Sequence, residues 1–218
     1  MTALSYDDLR ACLHGAFSAQ EQAVADWHLR EPSFSAAIPE GEAPEDFQEL
    51  ILRQHWCNFR LWHVEDRARR KDAGSELIAE CKYAIDKLNQ ERNDLIERLD
   101  MFLVRALAPI LPAVAESGRA RFNTESMGVA LDRGSILALK MFHMREQTER
   151  HGVTPEHVAE CQRKLAVLGE QRADLLVSLC DLLGDYAQGA KRPKVYYQFK
   201  MYNDPRLNPE LYGRKAGA

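Results

Sequence analysis

Two sets of residues in this 218-residue chain have types and spacings suited to chemistry. The first is a stripe of short amides and carboxylates, Asp86, Asn89, Asn93, Glu97 and Asp100, within the segment Ser75 to Ala106. Its members recur three or four residues apart, so on a helix they share one face. That face borders an apolar one made of Cys81, Ile85, Leu88, Leu95, Leu99 and Phe102. Polar groups at the edge of a core must be hydrogen-bonded, ion-bound or wet. Glu97 and Asp100 suit a hard cation such as Mg²⁺ or Mn²⁺, which takes carboxylates together with waters and substrate phosphates. In an antiparallel bundle, Asn123, Glu125, Ser126 and Asp132 arrive at the same level. Asp132 is then a third metal ligand, and Asn89, Asn93 and Glu125 are candidate substrate contacts. The plainer alternative is a solvated polar groove at a helix end.

The second set is symmetric. His55, Phe59, Trp62, His63, Asp66 and Arg70 share one helical face, and Ser135, Leu139, Phe142, His143, Glu146 and Arg150 share another. Each helix offers a histidine with a carboxylate three residues on, and both pairs are expected to point inward. Bundle metal sites use histidines and carboxylates from facing helices, although the di-iron signature runs Glu-x-x-His and the order here is reversed. A buried imidazole hydrogen-bonded to a carboxylate accounts for the pattern equally well. His63 is the candidate acid/base catalyst.

These residues need helices to hold them, and the sequence supplies five. Ser5 and Asp8 are spaced as a capping box for a first helix reaching about Arg30. Pro44, Glu45 and Asp46 open a second, which runs to about Arg70. Ala73-Gly74-Ser75 turns into the third, stopped by Pro109 and Pro112. Asn123-Thr124 is placed to cap the fourth, Gly152 to end it, and Thr154-Pro155 to start the fifth, which ends near Gly189. The second and third helices also recur. A constant, ungapped shift of 80 residues places Arg53 on Arg133, His63 on His143, Cys81 on Cys161, Arg92 on Arg172 and Leu99 on Leu179. The expected architecture is one all-α domain over residues 1–218. It is an up-down four-helix bundle from a duplicated hairpin (copies at about 45–107 and 124–188), with the first helix and a C-terminal tail packed on it. Under the shift, Asn89, Asn93, Glu97 and Asp100 fall on Gly169, Ala173, Val177 and Cys180, so the polar stripe belongs to one copy alone.

Lys+Arg 29 against Asp+Glu 33 leaves a net charge of −4, which argues against nucleic acid as partner. The basic run Arg67, Arg69, Arg70 and Lys71 sits at a hairpin turn, where helix C-termini favour cations. Five cysteines without a C-x-x-C pair read as reduced thiols of a cytoplasmic protein. The most apolar stretch, Met101 to Ala115, contains Arg105, Pro109 and Pro112, and is no membrane span. The aromatic tail from Val195 to Tyr212 is expected to fold back over the bundle, with Lys200 a candidate phosphate contact.

The motifs W-H-V-E-D (Trp62 to Asp66), N-Q-E-R-N-D (Asn89 to Asp94), N-T-E-S-M-G (Asn123 to Gly128), D-R-G-S-I-L (Asp132 to Leu137) and K-M-Y-N-D-P (Lys200 to Pro205) resemble a bacterial family catalogued as domain-of-unknown-function family 4254. The pattern of that family has Ser-Glu-Thr at Thr124-Glu125-Ser126 and Leu at Gly134. Members of this family often sit with cell-envelope glycosyltransferases, which implies sugar-phosphate chemistry by association only. Glu97 and Asp100 also resemble the Glu-x-x-Asp of all-helical nucleoside triphosphate pyrophosphatases, whose upstream Glu-Glu-x-x-Glu is absent here. The function these readings support is a metal-assisted enzyme acting on a phosphorylated or nucleotide-linked sugar in cell-envelope polysaccharide metabolism. The alternative is a non-catalytic helical protein that partners a glycosyltransferase or a second copy of itself.

Overall fold

The computed structural model describes residues 4–34, 46–113, 121–199, 201 and 204–212. Among them there is no strand. The elements are α1 (Tyr6–Leu29), α2 (Phe47–Ala68), α3 (Ser75–Leu107), α4 (Met127–Thr148), α5 (Pro155–Ala187) and the single turn α6 (Pro209–Tyr212). No helix among the described residues is long and apolar enough to cross a membrane.

Most helix ends follow local chemistry. The Ser5 side chain accepts from Asp8 N while Asp8 accepts from Ser5 N, closing the capping box of α1. Asp46 caps α2, and Thr154 caps α5 ahead of Pro155. Gly152 and Gly189, after α4 and α5, adopt φ of 76° and 72°, a region open to glycine without steric cost. Two starts differ from the sequence reading. Gly74 precedes α3 with no side-chain cap, and α4 is capped by Ser126 rather than by Asn123 or Thr124. The Ser126 hydroxyl accepts from Val129 N and also bonds the Asp100 carboxylate, so a contact with α3 selects the cap.

The helices pack as two hairpins, α2 with α3 and α4 with α5, and α4 also meets α2 and α3. α1 packs against α2, α4 and α5, so it is a full member of the core rather than an addition to a four-helix bundle. The reason lies in its inner face. Leu9, Leu13, Phe17, Val24 and Trp27 are buried with Leu50, Ile51 and Phe59 of α2, Leu99 of α3, Leu131 of α4 and Leu183 of α5. Each such side chain contributes about 1.5–3 kcal/mol on leaving water. Trp27 sits among the rings of His55, Trp56 and Phe59 at centroid distances of 5.1–5.6 Å. Beyond α5 the tail returns over the end of α3. Arg192 bonds the carbonyls of Arg121 and Pro112, and Gln198 N donates to Glu97 Oε1 at 2.8 Å.

Candidate functional site

On α3, Asn93 and Asp100 are buried, and Asn89 and Glu97 are half-buried, as the stripe predicts. The three expected metal carboxylates are nevertheless committed to separate partners. Glu97 accepts from the tail. Asp100 Oδ1 accepts from Gly128 N at 2.7 Å and ties α3 to the start of α4, where free N–H groups favour an anion. The approach is close enough that a Cβ on Gly128 would lie 2.7 Å from the Ile96 carbonyl and 2.8 Å from Asp100 Oδ1. Burial pushes the Asp100 carboxyl up to about 6; the Ser126 and Gly128 hydrogen bonds oppose this, and the charge on Glu97 adds to it. Asp132 faces α2 instead. Glu125 is exposed and pairs with Arg133 at 3.5 Å, and Lys200 lies outside the described residues.

Asp132 belongs to a buried polar network that the sequence reading did not single out as a unit. Its Oδ1 accepts from Gln54 Nε2 at 2.5 Å and Asn58 Nδ2 at 2.8 Å, with Arg92 Nε 4.0 Å away. Asn58 Nδ2 also donates to Ser135 Oγ at 2.9 Å, and Ser135 Oγ bonds His55 Nδ1 at 2.6 Å. Burial drives the His55 imidazole down to about 3, so it is neutral, and burial raises the Asp132 carboxyl against the pull of Arg92 and Asn58. Gln54 Oε1 and Arg92 Nε are buried without a hydrogen-bond partner among the described residues. A signal for this network was present in the sequence: Gln54 and Asn58 are amides four apart on an otherwise apolar face of α2.

Asn58 and Arg92 also line a cleft of about 450 Å³ between α2, α3 and α4. Its remaining walls are Leu61, Trp62, Glu65, Asp66, Arg69, Asn89, Ile136 and Leu139. Of the candidate substrate contacts, Asn89 lines this cleft, whereas Asn93 and Glu125 are not on its wall. Glu65 and Arg69 pair at 2.9 Å on its rim. Trp62 and Asp66 also line a second cleft of about 740 Å³, with Lys140, His143, Arg163 and Lys164 among its other residues.

Behind Trp62 lies a third group. The indole stacks on His143, with centroids 4.7 Å apart and planes inclined by 10°. His143 meets His63 and His28, and His28 stacks on Phe142 at 4.2 Å. One ligand nitrogen from each of His28, His63 and His143 lies within 4.8 Å of the other two. The two symmetric helices therefore bring their histidines together as expected, and both imidazoles are half-buried. Their carboxylates are not inward: Asp66 and Glu146 are exposed, the second accepting from His143 Nδ1 at 2.7 Å. An exposed carboxylate keeps its hydration, which an inward one would lose. His28 was missed because it stands on α1, and no spacing in the sequence links it to the other two.

A model for the family described as "Protein of unknown function (DUF4254)" matches residues 48–195, nearly all of α2 together with α3, α4 and α5. No curated protein and no solved structure matches the chain.

Proposed function

The chain belongs to the DUF4254 family, and from that premise we propose that it binds and acts on a phosphorylated or nucleotide-linked sugar in the cleft between α2, α3 and α4. The observation that supports this reading is the inner wall of that cleft. Asn58 and Arg92 on this wall both approach the buried Asp132, and Arg92 Nε, 4.0 Å from Asp132 Oδ1, has no hydrogen-bond partner among the described residues. A buried polar atom without a hydrogen bond costs about 1–3 kcal/mol, which a ligand bonding to Arg92 would offset. Trp62 offers an aromatic face to a sugar ring, Asn58, Asn89 and Asp66 offer partners for hydroxyls, and Arg92 offers a guanidinium to a phosphate. The adjoining cleft, with Lys140, Arg163 and Lys164, has room and positive charge for the rest of a nucleotide-linked substrate. Cell-envelope polysaccharide metabolism is the setting in this proposal. Metal assistance falls to the histidines behind Trp62 rather than to Mg²⁺ or Mn²⁺ on Glu97, Asp100 and Asp132. His63 is packed with those histidines and is not on the cleft wall, so direct acid/base work by it is not part of the reading.

The same proposal takes the two hairpins as copies of one. α2 and α4 are each 22 residues long, α3 and α5 each 33, and all four pairs of bounds differ by 80. Residues 80 apart also meet in space, His55 with Ser135 and His63 with His143.

Calorimetry with a panel of hexose phosphates and nucleoside-diphosphate sugars tests the cleft. One member should bind saturably, and Arg92→Lys and Asn89→Ala should each weaken it about tenfold, the loss expected for one charged or bidentate hydrogen bond. A panel without a binder, or binding indifferent to both changes, would move preference to a non-catalytic partner of a glycosyltransferase. That second reading draws on the exposed apolar side chains of Tyr83 on α3, Val167 and Val177 on α5, and Phe199 on the tail.

A further inference from the structure

We infer that His28, His63 and His143 form a binding site for one borderline divalent transition cation, with Zn²⁺ as the type, leaving a coordination position for water or an anion. Three rigid elements bring the imidazoles together: the last turn of α1, and α2 and α4. A nitrogen from each already lies within 4.8 Å of the other two. Zinc–nitrogen bonds of about 2.0–2.1 Å need those nitrogens to close by about 1 Å or less each, a side-chain adjustment.

The surroundings of two rings argue for a ligand rather than for packing alone. His28 Nδ1 is 2.7 Å from the Val24 carbonyl, and His143 Nδ1 is 2.7 Å from Glu146 Oε2. A ring nitrogen facing an oxygen acceptor must carry the proton, so the lone pair of each ring is on Nε2. Both of those Nε2 atoms are buried and meet no hydrogen-bond partner among the described residues. A histidine whose one nitrogen is held by a carbonyl or carboxylate, while the other is left free, is the arrangement by which proteins orient metal ligands. Stacking of His28 on Phe142 and of His143 on Trp62 fixes the ring planes but leaves those lone pairs unexplained.

Charge agrees with this. Asp66 and Glu146 supply negative charge near the three rings. The donor set decides the class of ion. Imidazole nitrogens suit zinc, iron, nickel and copper, whereas magnesium takes oxygen. This site does not depend on the cleft reading, although the ion would lie one side chain away from that cleft, across Trp62.

The test uses the full chain without a histidine tag, stripped with a chelator and titrated with Zn²⁺ by calorimetry, with Co²⁺ as a spectroscopic stand-in and Mg²⁺ as comparison. The wild type should take up one Zn²⁺ per chain, show the visible absorption of nitrogen-bound Co²⁺, and ignore Mg²⁺. His63→Gln and His143→Gln should each abolish the Co²⁺ spectrum. Glu146→Gln changes an exposed side chain and leaves the core alone, so it reads the site even if a histidine variant fails to fold; it should weaken Zn²⁺ about tenfold. No saturable uptake of one Zn²⁺ by the wild type would overturn the inference. So would uptake unchanged in both Glu146→Gln and a folded histidine variant. Neither result bears on sugar-phosphate binding, which is measured with different probes.

Discussion

Asp100 carries a carboxyl raised from an ordinary 3.8 to about 6 because it is buried, and its two hydrogen bonds to the start of α4 do not fully compensate. A carboxyl whose folded value exceeds its unfolded one contributes most below the unfolded value. That contribution is lost as pH rises through the folded one. The window therefore runs from about pH 4 to about pH 7. Asp100→Asn keeps the acceptor for Gly128 N and removes the titration. The stability of the wild type relative to this variant should fall by on the order of 2–3 kcal/mol across that window. Urea denaturation of both proteins at the two ends measures it, and a flat difference would mean that Asp100 is not desolvated as described. The neutral His55, driven down to about 3 by burial, works in the opposite sense as pH falls, but it is common to both proteins and cancels.

At the scale of elements, the contact between α3 and α4 depends on a residue without a side chain. Gly128 sits in the first turn of α4, where a methyl group would press on the Ile96 carbonyl and on Asp100. The obstruction is backbone on one side and a hydrogen-bonded carboxylate on the other, so neither can give cheaply. Gly128→Ala should cost about 1–3 kcal/mol. Gly184 in α5 is the internal comparison, since nothing lies within 4 Å of a Cβ there. Gly184→Ala should raise stability by about 0.5–1 kcal/mol through helix propensity alone. Chemical denaturation of the two variants separates close packing from propensity, and equal effects of one sign would contradict the described contact.

For the molecule as a whole, α1 joins the two hairpins, because it touches α2, α4 and α5 and contributes His28 to the histidine cluster. A cation held there would bind only the assembled protein and stabilise it by mass action, about 2.7 kcal/mol at a free concentration one hundred times the dissociation constant. Zn²⁺ should therefore raise the melting temperature and slow amide exchange in the last turn of α1, not only in α2 and α4. Exchange mass spectrometry with and without Zn²⁺ checks this. Protection confined to α2 and α4 would remove His28 from the site.

The sequence by itself determined that the chain is helical, where most helices begin and end, and which residue types coincide under a shift of 80. Capping boxes, prolines, glycines and apolar periodicity act within a turn or two, so they are legible in one dimension. It also marked Asn93 and Asp100 as polar groups on a buried face, and His63 and His143 as partners. Only the tertiary structure decided what those groups touch. Glu97 and Asp100 lie on neighbouring turns of α3, with Asp132 on α4, yet Asp100 bonds to the start of α4, Glu97 to the tail and Asp132 to α2. That choice depends on which helix approaches each face, which no local spacing encodes. His28 joins His63 and His143, and Gln54 reaches Asp132, across sequence separations of 35 to 115 residues. Such meetings are set by the packing of α1, α2 and α4, whose driving force is burial of apolar area and is non-directional. The apolar pattern therefore brings these helices together without specifying the polar contacts that result.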